Sequence, residues 1–408
     1  MKDIGKIRNS FTALKRRASN GKPAIYFDGP GASQMPNRVY SSYTDHVLHD
    51  KANAGGYFET SVNTTEAVER ARASLALFFN CEEDEVVFGA NATTSMFQFS
   101  RAISRNWLSD DEVVVTKLDH FANVSPWVEV AKDNNCKLTS VGFDVNTGEY
   151  NLDDFEKAIT NKTKIVAVNY ACNAIGTISP VKEIIKIAHA KGAMVFVDAV
   201  HYAPHRLIDV KDLDCDFLVT SVYKYFGPHI SAVFAKKKHL ENFAPYKVEP
   251  ASDDIPNRWE TGTPDFSAIA AIPSTIKYII SLSENTSPTR KNLELAYKNI
   301  TEYENELSRY FLNKVWELKH VKVHGIKNTD DVNKRTPTFG LTIEGKTSHQ
   351  VAEYLAKHGI FAWSGHFYAL DVVRSYNLEK DGLLRIGMLH YNTKREIKEL
   401  VSVLKLLL

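Results

Sequence analysis

Cysteine is scarce in this sequence. Only four occur in 408 residues (Cys81, Cys136, Cys172 and Cys215), and no two form a C-x-x-C pair. That spacing excludes a disulfide scaffold and a cysteine-based metal cluster, and it fits a reducing, cytoplasmic compartment. Long apolar runs are missing too. The longest uncharged stretches, such as Met194 to Val197, are strand-sized and far short of the ~20 residues of a membrane span. The basic N-terminal stretch MKDIGKIRNSFTALKRRASN lacks the apolar core of a signal peptide. An excess of one charge is also absent. Lys+Arg total 50 against 49 Asp+Glu, a formal net charge of +1, so nothing electrostatic favours nucleic acid or an anionic membrane as partner. What remains is an ordinary globular composition, 44% apolar and 24% charged. At roughly 100–200 residues per domain, the length points to two or three domains.

From about residue 64 to 235, short β-branched runs alternate with helical segments. TTEAVERARASLALFF, with Thr64 or Thr65 as N-cap, predicts a helix to Asn80. EVVFGA, DEVVVTKLD, KLTSVGFD, KIVAVNYA, AMVFVDAV, DFLVTSVY and SAVFAK read as strands, and SPVKEIIKIAHAKG reads as a crossover helix. This alternation predicts an α/β domain with a mainly parallel sheet. Continuously apolar strands such as KIVAVNYA are expected to be buried on both faces. After residue 265 the chain turns strongly helical, then alternates short strands with two helices. The expected division is an N-terminal segment (1–22) packing with the small domain, a large domain (23–280) and a small C-terminal α+β domain (281–408).

Polar residues of particular kinds stand at the ends of the predicted strands. Lys224, in DFLVTSVYKYFGP, follows a buried strand, where α/β sheets bind ligands. Asp198 ends the apolar strand MVFVD, and a buried carboxylate is costly unless a cation or a strong donor meets it. A lysine and an aspartate on neighbouring strand ends suit pyridoxal phosphate, whose aldehyde takes the lysine and whose ring nitrogen takes the carboxylate. FGANATTSMFQFS supplies small residues and hydroxyls (Thr93, Thr94, Ser95) at a helix N-terminus, a place for a phosphate. His120 and Asn173 follow two further strands, offering a ring face and an amide.

With these residues in place, the chain resembles the class V aminotransferase family of fold-type I pyridoxal-phosphate enzymes, and within it the cysteine desulfurase and selenocysteine lyase branch. The resemblance runs from about residue 23 to 400 and is most specific in VDAVHYAPHRLIDVKDLDCDFLVTSVYKYFGP. It implies Lys224 as the Schiff-base lysine, Asp198 as partner of the pyridine nitrogen and His120 stacked on the ring. It implies His201 near the ring hydroxyl and Ala92, Thr93 and Ser221 around the phosphate, with Asn173 reaching cofactor or substrate. Arg385, in LLRIGMLHYNT, matches the arginine that grips the substrate carboxylate. Thr263, in WETGTPDF, matches a phosphate ligand donated by a second subunit, so a homodimer is expected.

Two positions depart from the family pattern. Tyr223 stands where the family has a histidine before the lysine. In WSGHFYALDV, counted from Gly365 and His366, Tyr368 occupies the place of the desulfurases' sulfur-accepting cysteine. A phenol cannot carry a persulfide. Tyr368 can pass a proton to a leaving group or pack on the substrate, with His366 and Trp363 as further substrate contacts. Cys172 adjoins Asn173 and reads as packing. The leading expectation is a lyase that cleaves a C–S bond of an α-amino acid by β-elimination, without a protein persulfide. An aminotransferase or epimerase of the same family, or a non-catalytic cofactor-binding homologue, remains open.

Overall fold

Seven segments of the first two-thirds of the chain, all but the edge strand Lys137–Val141 largely buried, line up in one sheet. The computed structural model describes residues 3–407, and among them the strands are β1 (Ile25–Tyr26), β2 (Val86–Gly89), β3 (Glu112–Thr116), β4 (Lys137–Val141), β5 (Thr163–Asn169), β6 (Met194–Asp198), β7 (Phe217–Ser221), β8 (Ser231–Ala235), β9 (Val321–His324), β10 (Thr338–Ile343), β11 (Ile360–Phe361), β12 (Trp363–Gly365) and β13 (Leu383–Gly387). The large sheet has the order β2-β8-β7-β6-β5-β3-β4. Only β8 runs against its neighbours; the other pairings are parallel. Helices cover both faces, which is why the central strands are apolar at every position rather than at alternate ones. Two buried clusters, one per face, hold the sheet: Val195, Val197 and Leu218 point into one, Phe196, Phe217 and Val219 into the other.

The helix predicted from Thr64 begins a turn earlier and spans Glu59–Phe79. Thr64 does not cap it. Its hydroxyl is buried and donates to the Thr60 and Asp50 carbonyls, so a tertiary contact claims the side chain that local propensity assigned to a cap. The C-terminal part builds the antiparallel sheet β12-β13-β10-β9 with its own core, including Leu307, Phe311, Phe339 and Ile386. The helix Arg290–Trp316 serves both units: Leu293, Tyr297 and Ile300 pack in the large core, and Leu307, Phe311 and Val315 in the small one.

The sequence reading assigned residues from 23 onward to the large unit. In the structure, β1 pairs in parallel with β11, and Ile25 and Phe27 lie in the small core. This strand is too short to announce its partner by pattern. The N-terminal segment touches both units: Phe11 packs edge-on against Tyr278 and Tyr391, and Arg8 pairs with Glu396 at 3.0 Å.

The two units meet at the turn after β5. Arg335, fully buried, donates to the carbonyls of Ile175, Ile326 and Thr338, and the Thr336 N–H donates to the Gly176 carbonyl at 2.8 Å. Gly176 has φ +83°, and a Cβ there would sit 2.3 Å from the Thr338 carbonyl oxygen. Because the obstacle is backbone, Gly176→Ala should cost about 2 kcal/mol or more. Urea unfolding should show a lower midpoint with an unchanged slope; a midpoint equal to wild type would refute this role for the glycine.

Candidate active site

The C-terminal ends of β3, β5, β6 and β7 open onto one cleft, where parallel sheets collect ligands. Its lining includes Ala92, Thr93, His120, Asn173, Asp198, His201, Ser221, Tyr223 and Lys224. All nine were singled out in the sequence. Asp198 is the last residue of β6 and Ser221 the last of β7, and Lys224 sits in the short helical turn that follows.

The electrostatics come from burial. Asp198 is 6% exposed, and burial lifts its pKa to about 6, opposed by the Val200 N–H (2.9 Å to Oδ1) and by the nearby Lys224 charge. Lys224 shifts the opposite way, to about 7. Burial comes first and the Arg385 charge second, with Asp28 and Asp198 opposing. Its Nζ donates to the Pro30 and Gly31 carbonyls at 2.5 and 2.6 Å. His120 is pushed down to about 4 by burial and by the charges of Lys224, Arg385 and His366. It is therefore neutral at pH 7, and its Nδ1 accepts the Ala122 N–H at 3.0 Å, which leaves the ring proton on Nε2. His201 is likewise held well below its usual range by burial, with Nε2 3.1 Å from the Thr336 hydroxyl. At the mouth of the helix Ala92–Ile103, Asn91 caps through Oδ1, which accepts the Thr94 N–H at 2.9 Å. The earlier N–H groups of the first turn, those of Ala92 and Thr93, have no partner within the helix.

The small unit supplies the opposite rim. Arg385 lies in the middle of β13, 5% exposed. Its Nη1 donates to the Asn173 carbonyl at 3.2 Å, and its guanidinium lies over the Phe367 ring at 4.2 Å. The predicted substrate contacts Trp363, His366 and Tyr368 are not in the cleft lining; they belong to the strand and loop beside it. That loop is pinned to the large unit. Asn173 Nδ2 donates to the Phe367 carbonyl (2.9 Å), the Phe121 N–H to the Tyr368 carbonyl (2.7 Å), and the Tyr368 ring stacks on His120 at 5.3 Å. Phe367 and Tyr368 are both left-handed, with φ of 52° and 58°, a strain that must be held by these contacts. Thr263 is exposed and does not line the cleft of its own chain.

Sequence reasoning passed over three residues. Asp28 lies beside Arg385 (3.8 Å) and aims its Oδ1 into a buried space without a hydrogen-bond partner. Asn169, at the end of β5, joins the lining. Asp119, fully buried, accepts from Asn123 Nδ2 (2.8 Å) and the Asn169 N–H (3.0 Å) and thereby fixes the turn that carries His120. The one signal for Asp119 was an acidic residue three positions beyond the end of a buried strand.

Residues 25–400 match the model of the family described as "Aminotransferase class-V". The chain belongs to that family. Its relatives there include an aminotransferase-like protein of Gibberella zeae, FGM3, 30% identical over 99% of this chain and 98% of that protein. A probable cysteine desulfurase of Borreliella burgdorferi is 31% identical over 98% and 95% of the two chains. Among solved structures, the apo cysteine desulfurase of Thermococcus onnurineus superposes with a TM-score of 0.88 at 26% identity, over 100% of this chain and 98% of that one. The cysteine desulfurase CsdA of Escherichia coli gives 0.84 at 20% identity, a likeness of fold alone. The chain is thus a pyridoxal-phosphate-dependent enzyme of the class V family with the fold-type I architecture. The cleft suits that cofactor: it offers an amine with lowered proton affinity, a carboxylate sealed from water, and helix N–H groups open to an anion.

The Lys224 shift makes a prediction that is independent of catalysis. An unfolded lysine has a pKa near 10.4, and the folded value is about 7. Folding therefore releases a proton between these values: the native state is relatively most stable above pH ~10.4 and loses that stability as pH falls through 7. In cofactor-free protein, Lys224→Met should be more stable than wild type at pH 6, by about 3 kcal/mol. The gain should vanish towards pH 10. Thermal unfolding at the two pH values measures it, and an equal gain at both would refute the assignment.

Proposed function

We propose that the protein cleaves the C–S bond of a cysteine-like α-amino acid by β-elimination, without passing sulfur through a protein persulfide. The observation that carries this reading is the loop at Tyr368: a phenol stacked on His120 stands there, and no cysteine follows Cys215 in the chain. Cys172 does not fill the gap. It is buried among Leu118, Ala174, Ile175 and Ala369, and burial pushes its thiol up to about 11. At neutral pH only about one part in 10⁴ is thiolate, the form that attacks sulfur.

Pyridoxal phosphate, when bound, supplies an aldehyde for the substrate amine and a cationic ring that draws electrons from Cα. The chain's own residues do the rest. The N–H groups of Ala92 and Thr93, with the Ser221 hydroxyl, hold the phosphate. Asp198 keeps the ring nitrogen protonated, because a buried carboxylate is best satisfied by a cation beside it. Neutral His120 walls the cleft, and His201, Tyr223 and Asn173 complete the cofactor's surroundings. Arg385 grips the α-carboxylate with its planar fork. Lys224 Nζ, brought near neutrality, takes the Cα proton. Tyr368 bounds the space of the departing sulfur, with His366 and Trp363 nearby.

The products follow from the balance: cysteine plus water gives pyruvate, ammonia and hydrogen sulfide. Holoenzyme turning over L-cysteine should release all three in equal amounts, and mass spectrometry of quenched enzyme should find no persulfide. A persulfide on Cys172 that turnover requires would restore a relocated desulfurase. An absolute need for a keto-acid acceptor would make the enzyme an aminotransferase, the activity suggested by the name of the Gibberella relative.

We further infer a homodimer in which Thr263 reaches the partner's phosphate site. Tyr40, Leu48, Tyr57 and Phe58 are all more than half exposed in the single chain. The helix that follows Thr263, Phe266–Ser281, packs against the helices Asn37–His49 and Glu59–Phe79, within or beside which these side chains lie in the chain, and exposed apolar side chains of this kind mark a partner surface. Sedimentation should give twice the chain mass, and Thr263→Ala should weaken cofactor binding about tenfold with the dimer intact. A fully active monomer would rule the arrangement out.

A further inference from the structure

Arg385 is an incomplete ion pair. Nη1 is spent on the Asn173 carbonyl, Phe367 covers one face of the guanidinium, and Nε is buried with no hydrogen-bond partner. Its one nearby carboxylate, Asp28, stands 3.8 Å from Nη2, inside ion-pair range but beyond a hydrogen bond. Asp28 Oδ1 is equally unsatisfied. Arg385 thus carries the full cost of burial and Asp28, 26% exposed and held by the Trp363 side chain, part of it, while the fork–fork contact that repays an arginine–carboxylate pair is unmade. Asp28 is kept in place by its backbone, through a bridge to Gly387 of the strand that carries Arg385 and a turn in which the Gly31 and Ala32 N–H groups donate to its carbonyl.

We propose that Asp28 is a resident stand-in for the substrate's carboxylate, and that it restricts the site to amino acids carrying one negative charge. The proposal rests on the reading of Arg385 as carboxylate receptor and deepens it. A ligand carboxylate that makes the missing bonds to Arg385 comes to lie next to Asp28, so two anions share one guanidinium. The other groups facing Asp28 are Trp363 of β12, Lys224, and the phenols of Tyr223 and Tyr391; only Lys224 among these is a cation. Lys224 is also the only lysine or arginine among the described residues lining the cleft, and its Nζ is engaged by two carbonyls. One added negative charge can be carried at the strength of the completed fork. A second, on the substrate side chain, meets Asp28 with no cation left to offset it, and like charges at such range in a desolvated site repel strongly. The favoured substrates are α-amino monocarboxylates with uncharged side chains, and acidic side chains are rejected.

The test uses two ligands of the same size and different charge, succinamate and succinate, titrated calorimetrically into cofactor-loaded enzyme at pH 7.5. Wild type should bind succinamate at least tenfold more tightly. Asp28→Asn, which keeps the shape and removes the charge, should tighten succinate about tenfold, or about 1.4 kcal/mol, and succinamate much less, so that the ratio closes. Asp28→Ser, which lacks the amide's donor, should close it too. An unchanged ratio in both variants, or a gain confined to Asp28→Asn, overturns the proposal. Arg385→Ala separates the premise from the proposal. If it binds succinamate as well as wild type does, the carboxylate reading of Arg385 is wrong and the role of Asp28 falls with it. If it loses binding while the Asp28 variants leave the ratio alone, only the Asp28 proposal fails.

Discussion

Asp198 and Lys224 are carried out of water at the ends of two neighbouring parallel strands, and the rest of the cleft is arranged around the cost of doing so. β6 and β7 are buried almost throughout because both their faces are covered, so whatever ends them inherits a dry environment. A carboxylate and an ammonium placed there cannot keep their usual proton affinities, and they move towards each other, to about 6 and about 7. A fold selected for stability alone would put leucine at such positions. The carbonyls of Pro30 and Gly31 and the Val200 N–H are the partners that make the burial tolerable.

The second site of stored strain is the loop at Phe367 and Tyr368. Two consecutive left-handed residues with bulky side chains are unfavourable, and three contacts from the large unit hold them. This docks the small unit's loop on the very turns that carry His120 and Asn173. The cleft and its rim are therefore assembled from both units at once, and a shift of either disturbs Arg385 through Asn173. A solved relative named as a cysteine desulfurase shares the scaffold.

Much of this was legible in the sequence because it follows from local rules. Uninterrupted runs such as KIVAVN and MVFVD mark strands buried on both faces, and polar residues directly after them mark the cleft, which is how Asp198, Lys224, His120 and Asn173 were found. Asp28 escaped because its strand has two residues and pairs with a segment near the far end of the chain; no periodicity reveals such a contact. Asp119 was hidden by its neighbour His120, its importance lying in the donors of Thr116, Asn123 and Asn169, which only the folded turn brings together. The start of the helix at Glu59 was misplaced for a related reason: Thr64 has the chemistry of a cap, and a tertiary partner took it.

The pairing of β1 with β11 has a consequence for how the molecule comes into being. Ile25 is made before every strand of the large sheet, and its partner Ile360 after all of them. All seven strands of the large sheet emerge in between, so that sheet can close while the first strand still hangs unpaired. Domains made in sequence usually fold in sequence; here the small core cannot close until its opening residues are met by its final ones. The turn that carries Asp28 lies directly behind that strand. Asp28 therefore takes its place beside Arg385 only after β11 has been made, and a nascent chain stopped short of β11 has the sheet without that turn docked.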